Sequence, residues 1–217
     1  MNKRLINILG LTGLIQLLSY TAAVIFSPLD FPGYDWLSQA VSDLSAETAP
    51  SRMLWDRLSA CYNVFSVVCV TCVTLFVLEH KTGSRLFRLG IYLFTLMSYI
   101  SQIGYAMFPL TDSGKDITTL QEIMHIAVTA AVVLLSIVSL ILIIISGFGK
   151  AKQKGCAVCA AAALCMMFVG AIGQKAVPPE YFGLVERFSV FAAVGFCAVL
   201  GLFLFRGFGE ESLARRR

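Results

Sequence analysis

The chain has 217 residues, 58% of them hydrophobic and 14% charged, with a mean hydropathy of +0.80. A soluble domain carries about one quarter charged residues, so an ordinary cytosolic enzyme and a disordered chain are both excluded. The formal net charge of +4 says less than its distribution, because basic residues of a membrane protein sort by side.

Apolar stretches run, in chain order, over residues 5–27, 58–78, 86–108, 123–147, 155–173 and 184–205. Each has the length of about 20 residues that a helix needs to cross the hydrocarbon core. The pattern predicts an all-α, polytopic bundle of six transmembrane helices forming a single membrane domain over residues 1–217, with no room for a separate soluble catalytic domain. Asn2, Lys3 and Arg4 resemble the start of a signal peptide. The apolar run after them is too long for a signal core, and Ala22-Ala23 is followed by Val and Ile where a cleavage site would need small residues. The first stretch is therefore expected to stay as an anchor.

Orientation follows from Lys and Arg in the short loops. One side holds 12 of them: Lys3, Arg4, Lys81, Arg85, Arg88, Lys150, Lys152, Lys154, Arg206 and Arg215 to Arg217. The other holds only 5, namely Arg52, Arg57, Lys115, Lys175 and Arg187. Glu79, Glu210 and Glu211 fall on the basic side and the remaining acids, Asp116 among them, on the other, so the two faces carry +9 and −5. Both termini are expected to be cytoplasmic, in a plasma or inner membrane. All six prolines, Pro28, Pro32, Pro50, Pro109, Pro178 and Pro179, fall in the outer loops. All seven cysteines lie in or beside spans, where Cys serves as a small packing residue.

The first outer loop contains Trp36, Leu37, Ala40, Val41 and Leu44 at helical spacing, with Ser38, Gln39, Ser42, Asp43, Ser45 and Glu47 between them. This predicts a short amphipathic helix in the outer interface. It either anchors the loop, with Trp36 and Trp55 at headgroup level, or forms the rim of a site.

Polar residues within spans are informative because hydrocarbon penalises them unless they face the bundle interior or a wet cavity. They are Gln16 and Tyr20, then Tyr62 and Asn63, then Ser98, Tyr99, Ser101, Gln102 and Tyr105, followed by His125, Gln174, Glu186 and Arg187. Nearly all fall in the outer half, whereas the inner half is aliphatic. Ser98, Ser101, Gln102 and Tyr105 share one helix face. The expected shape is a cup with its polar side outward.

Catalytic chemistry has few candidates. Ser38, Ser42 and Ser45 with Asp43, Glu47 and His125 offer the residue types of a serine hydrolase, but no GxSxG elbow accompanies them. A catalytic metal would need three protein ligands and an open position. There is no HExxH, and the second histidine, His80, lies at the opposite end of its span, so neither metal nor other cofactor is expected. No Walker loop, no dinucleotide fingerprint and no basic aromatic surface for nucleic acid is present.

These residues together resemble a known family, the six-span membrane proteins classed as domain of unknown function 998. The resemblance rests on Trp36 to Glu47 with its Ser-Asp-Leu-Ser core, Phe108-Pro109 with Asp112 after span three, His125 opening span four, and Gly183-Leu184-Val185-Glu186-Arg187 opening span six. Asp43 and Ser45 stand where the family tends to show Glu and Gly. The layout is also distantly similar to the damage-regulated autophagy modulator proteins. The resemblance implies the six-span architecture and marks residues; it names no substrate.

The expected function is binding of a lipid headgroup or small amphiphile in an outward-facing pocket. Its lining would be Ser42, Asp43, Asn63, Gln102, Tyr105, Asp112, His125, Gln174, Glu186 and Arg187. The alternatives are an intramembrane lipid hydrolase or transferase using His125 with Asp43 or Glu47, and an accessory subunit. For the last, Ala157, Ala160 to Ala163, Gly170 and Gly173 would pack on a membrane protein partner or a second copy. Membrane lipids are the expected partners in every case.

Overall fold

The computed structural model describes residues 3–112, 119–149 and 153–209. Asn2, Lys115, Asp116, Lys150, Lys152, Glu210, Glu211 and Arg215 to Arg217, used above to reason about the start of the chain and its orientation, lie outside the described residues. Among the described residues the chain is all-helical. Helices α1 (Lys3–Leu9) and α2 (Thr12–Phe26) run on, through a break at Gly10-Leu11, as one membrane-length segment. Five more follow: α3 (Arg52–Glu79), α4 (Arg85–Met107), α5 (Leu120–Phe148), α6 (Lys154–Ala176) and α7 (Phe182–Phe205). Six segments are thus long and apolar enough to cross a membrane.

Helix α3 starts six residues before the stretch that hydropathy marks, at Arg52. Its first turns carry exposed charges, Arg52 and Asp56 among them, paired at 3.8 Å across one helical turn. A polar turn outside the apolar slab is invisible to a hydropathy criterion. Helix α5 begins with a capping box: Thr119 Oγ1 accepts from the Glu122 amide, and the Glu122 carboxylate accepts from the Thr119 amide.

The helices pack in sequence around a ring, each against its neighbours in the chain, and α7 closes the ring on α2 while also packing on α3. The outside is apolar, with Leu18, Leu134 and Ile145 each more than 60% exposed, as lipid-facing side chains are. Within the bundle the largest buried side chains are Phe76, Phe87, Phe94 and Phe196. Hydrogen bonds tie neighbouring helices where hydrocarbon would otherwise strand hydroxyls. Thr74 bonds Thr95 at 2.7 Å, Thr71 bonds Tyr99 at 2.8 Å, and Ser139 donates to the Gly90 carbonyl at 2.8 Å. Such bonds contribute about 0.6 kcal/mol each.

Small residues set the closest helix contact. A Cβ on Gly201 would lie 2.3 Å from the Gly10 carbonyl oxygen, and one on Gly10 would lie 2.3 Å from that of Gly201. The break between α1 and α2 thus sits where two backbones touch. Because the obstacle is backbone, Gly201→Ala should cost about 1–3 kcal/mol through overpacking. Gly195→Ala, on the same helix with nothing within 4 Å of its new methyl, should be neutral. Thermal unfolding in detergent, followed by the reactivity of the buried cysteines, compares the two.

Candidate functional site

The loop between α2 and α3 determines the site. The amphipathic helix expected over residues 36–47 does not form. There is a turn at residues 36–39, then a 3-10 helix, Ser42–Ser45. The reason is local competition for backbone groups. Asp35 accepts from the Leu37 amide at 3.1 Å and the Ser38 hydroxyl at 2.7 Å, and Asp43 accepts from the Ala40 amide at 2.9 Å.

The groups that these turns leave open go to α7. Arg187 Nη1 donates to the carbonyls of Trp36 (2.8 Å), Gln39 (3.1 Å) and Gly183 (2.6 Å), and Nη2 to the Tyr34 hydroxyl (2.7 Å). The Tyr34 hydroxyl donates in turn to the Ala40 carbonyl at 2.8 Å. Glu186 accepts from the Val41 amide at 2.8 Å, and the Leu184 amide donates to the Leu37 carbonyl at 3.0 Å. Only glycine fits at 183, where a Cβ would lie 2.1 Å from the Gln39 carbonyl oxygen. The loop is therefore latched onto the start of α7.

Burial raises the Asp43 carboxyl above its ordinary range, against the Ala40 amide and the Arg187 charge, which lower it. Burial likewise pushes the Tyr34 hydroxyl up to about 12, with Arg187 opposing it. On the exposed side the Ser38 hydroxyl and the Leu37 amide hold Asp35 below the usual carboxylate value.

Below the latch lies an aromatic layer. Val41 is buried against Tyr20, Val24 and Val194. The Tyr20 ring meets those of Trp55 (5.6 Å), Tyr62 (4.7 Å) and Phe191 (5.8 Å). Deeper still, a partly open cavity of about 50 Å³ is lined by Gln16, Tyr62, Ser66, Ser98, Ser101 and Gln102, with apolar walls from Met97, Val132 and the middle of α7. Gln16, fully buried, donates from Nε2 to the carbonyls of Val194 (2.9 Å) and Gly13 (3.0 Å). Its Oε1 and the Ser66 hydroxyl have no protein partner.

The residues singled out from the sequence fall into separate groups. Asp43, Glu186 and Arg187 meet in the latch. Ser42 is half-buried beside them, and its carbonyl accepts from the Ser45 hydroxyl at 3.0 Å. Tyr105, Asp112 and His125 belong to a second strap. There His125 Nδ1 bonds the Phe108 carbonyl at 2.9 Å, its ring lies 5.0 Å from that of Tyr105, and Tyr105 donates to Thr129 at 3.1 Å. Asp112 accepts from the Thr48 hydroxyl at 2.8 Å, and the Glu47 amide donates to the Leu110 carbonyl at 2.9 Å, although the Glu47 residue is exposed. Gln102 alone of the named lining residues reaches the cavity. Asn63 and Gln174 are exposed on their helices. Among the described residues, no three His, Cys, Asp or Glu side chains gather as metal ligands would.

Sequence reasoning named Gln16, Tyr62, Ser98 and Ser101 as polar but did not place them in the site, and it passed over Ser66 and Tyr34. The available signal was Gln16, the lone amide side chain of a helix without charged residues. Ser66, one hydroxyl among many, carried none.

The fold defines a multi-pass membrane protein with six membrane-length helical segments among the described residues. More particularly, the family model described as "Protein of unknown function (DUF998)" matches residues 14–203, and the chain belongs to that family. No curated protein and no solved structure matched the chain.

Two predictions test the latch. Arg187→Lys keeps the charge but gathers fewer of the four acceptors, since an ammonium lacks the planar fork. It should cost about 2 kcal/mol, on the scale of one charged hydrogen bond, and expose the loop to limited proteolysis sooner than in the wild type. For Asp43, a raised folded-state pKa means the folded protein holds its proton more tightly than the unfolded chain. Its contribution is then fully present below the ordinary carboxylate value and is lost as pH rises through the elevated one. The wild type should therefore lose stability relative to Asp43→Asn as pH climbs through that window. Melting temperatures across the acid range read this directly, and a difference that grows in the other direction contradicts the assignment.

Proposed function

We propose that this protein binds the polar end of a lipid or small amphiphile in the chamber beneath the latched loop, with the loop end on the outer face of a cell membrane. The observation that carries the reading is a cavity lined by Gln16 and Ser66, whose Oε1 and Oγ are buried and have no protein partner. Buried polar groups in native proteins are nearly always hydrogen-bonded, and in a membrane an orphan is costlier still. Polar side chains from α2, α3 and α4 converge there at one depth, while the faces turned to lipid are apolar.

The alternative of a hydrolase or transferase draws less support from the geometry. Asp43 is engaged with the Ala40 amide, and His125 Nδ1 with the Phe108 carbonyl. Neither residue lines the cavity.

The test is lipid retention. Gln102→Leu removes a polar group from the chamber wall, whereas Gln174→Leu alters an exposed position. With a neutral hydrogen bond worth about 1 kcal/mol, the first should lower co-purifying lipid about fivefold and the second should not, as measured by mass spectrometry of the intact protein released from gentle detergent. Equal retention in wild type and Gln102→Leu would remove the basis of the reading.

A further inference from the structure

The chamber's chemistry narrows what it takes. Its polar lining, Gln16, Tyr62, Ser66, Ser98, Ser101 and Gln102, is uncharged throughout. The nearby charges are already used: Arg187 is spread over three carbonyls and a tyrosine, and Glu186 holds the Val41 amide. A phosphate or carboxylate buried here would have no cation to meet it, and unpaired buried charge is strongly disfavoured.

Of the two unpartnered groups, Gln16 Oε1 can only accept a hydrogen bond, because its amide nitrogen is fixed by the carbonyls of Gly13 and Val194. The Ser66 hydroxyl both donates and accepts. Both atoms are fully buried in the wall, so a guest group that donates to Gln16 and exchanges a bond with Ser66 completes both as the adjoining side chains give way to it. At about 50 Å³ the space admits a few water-sized groups and falls well short of the roughly 300 Å³ at which drug-sized pockets begin. A hydroxyl and the carbon that carries it fit that scale, and what disfavours a phosphodiester is its charge. Met97, an adaptable side chain, and Val132 make the wall apolar beside the polar face.

We infer that the chamber recognises a neutral hydroxyl head of an amphiphile, through Gln16 and Ser66. This rests on the pocket reading above and specifies its ligand class.

The full-length protein in phosphatidylcholine nanodiscs provides the test, with diacylglycerol as the hydroxyl probe and phosphatidic acid of the same acyl chains as the charged one. Diacylglycerol should raise the melting temperature of the wild type, and phosphatidic acid should not. Ser66→Ala gives the sharpest readout. Its hydroxyl bonds nothing in the protein, so its loss should leave the melting temperature without probe unchanged or raised, while binding of diacylglycerol weakens about fivefold to tenfold. A merely structural role for Ser66 predicts the opposite sign for the first measurement and no change in the second. Gln16→Met should abolish the response, and because it also breaks the bond to Val194, Ser66→Ala remains the arbiter if that variant misfolds. If phosphatidic acid binds instead, in a manner that depends on Ser66, the pocket reading stands and the hydroxyl inference falls. If neither probe shifts the wild type, or if Ser66→Ala binds diacylglycerol as well as wild type does, the cavity holds only water and the inference is overturned.

Discussion

Arg187 is the point on which the loop end of the molecule depends. A non-helical segment in a membrane protein carries backbone groups that no helix satisfies, and these are tolerated only where protein or water receives them. Between α2 and α3 the chain turns tightly enough to leave the carbonyls of Trp36 and Gln39 facing α7, and one guanidinium gathers both together with the Gly183 carbonyl and the Tyr34 hydroxyl. Glu186, about 100° further round the helix, takes the Val41 amide from another direction. Two adjacent residues of opposite charge thus clamp the loop by its backbone and do not need to pair with each other. Val41 is seated on Tyr20 as a result, and the aromatic layer of Tyr20, Trp55, Tyr62 and Phe191 roofs the cavity.

The opposite end adds aromatic stacking to its own polar bonds, in which Arg88 Nη1 donates to the carbonyls of Lys81 and Gly83 at 2.9 Å and Ser84 bonds Ser146. Phe76 stacks on His80 at 4.2 Å and on Phe208 at 5.9 Å, and Phe208 also meets Phe87 edge-on at 6.3 Å. Gly10 and Gly201 bring α1 and α7 into backbone contact nearby. Close packing of this kind is the main source of helix association where no hydrophobic driving force acts. The bundle is therefore closed by aromatic and backbone packing at one end and lined with polar side chains around a cavity at the other. That contrast locates the space available for a guest.

Much of this architecture was legible because membrane thickness is a strong constraint: a run of about 20 apolar residues has few fates, and each of the six runs falls, to within a terminal residue, on one membrane-length helical segment, the first of them broken at Gly10-Leu11. The loop was not. Trp36, Ala40, Val41 and Leu44 have helical spacing, but Asp35 and Asp43 bond their neighbours' amides, and those bonds defeat the helix that periodicity suggests. Glu186 and Arg187 were recognisable as site candidates because charge in a span needs a partner, yet their loop partners are mostly backbone atoms some 150 residues away in sequence, which no composition reveals. His125 drew attention as the lone histidine of its end. Its bond to the Phe108 carbonyl depends on how α4 and α5 meet. Ser66 became notable only when a cavity appeared beside it.

The division of charge between latch and chamber bears on how tightly any guest is held. Charge-assisted bonds are the strong ones, and here they hold the loop, leaving the chamber with neutral donors and acceptors worth about 1 kcal/mol each. Recognition through two or three such bonds is weak by the standard of a soluble binding protein. A ligand already dissolved in the bilayer faces a different balance. Its apolar part gains little by moving from lipid to protein, since lipid tails are as apolar as the helix faces, so it neither drives nor opposes binding. It does confine the ligand to the membrane, at a local concentration far above that of a soluble molecule. On the proposed reading, weak polar recognition would then suffice for occupancy, and selectivity would come from what the chamber refuses, since a charged head would leave the water and headgroup layer without a counter-ion to receive it.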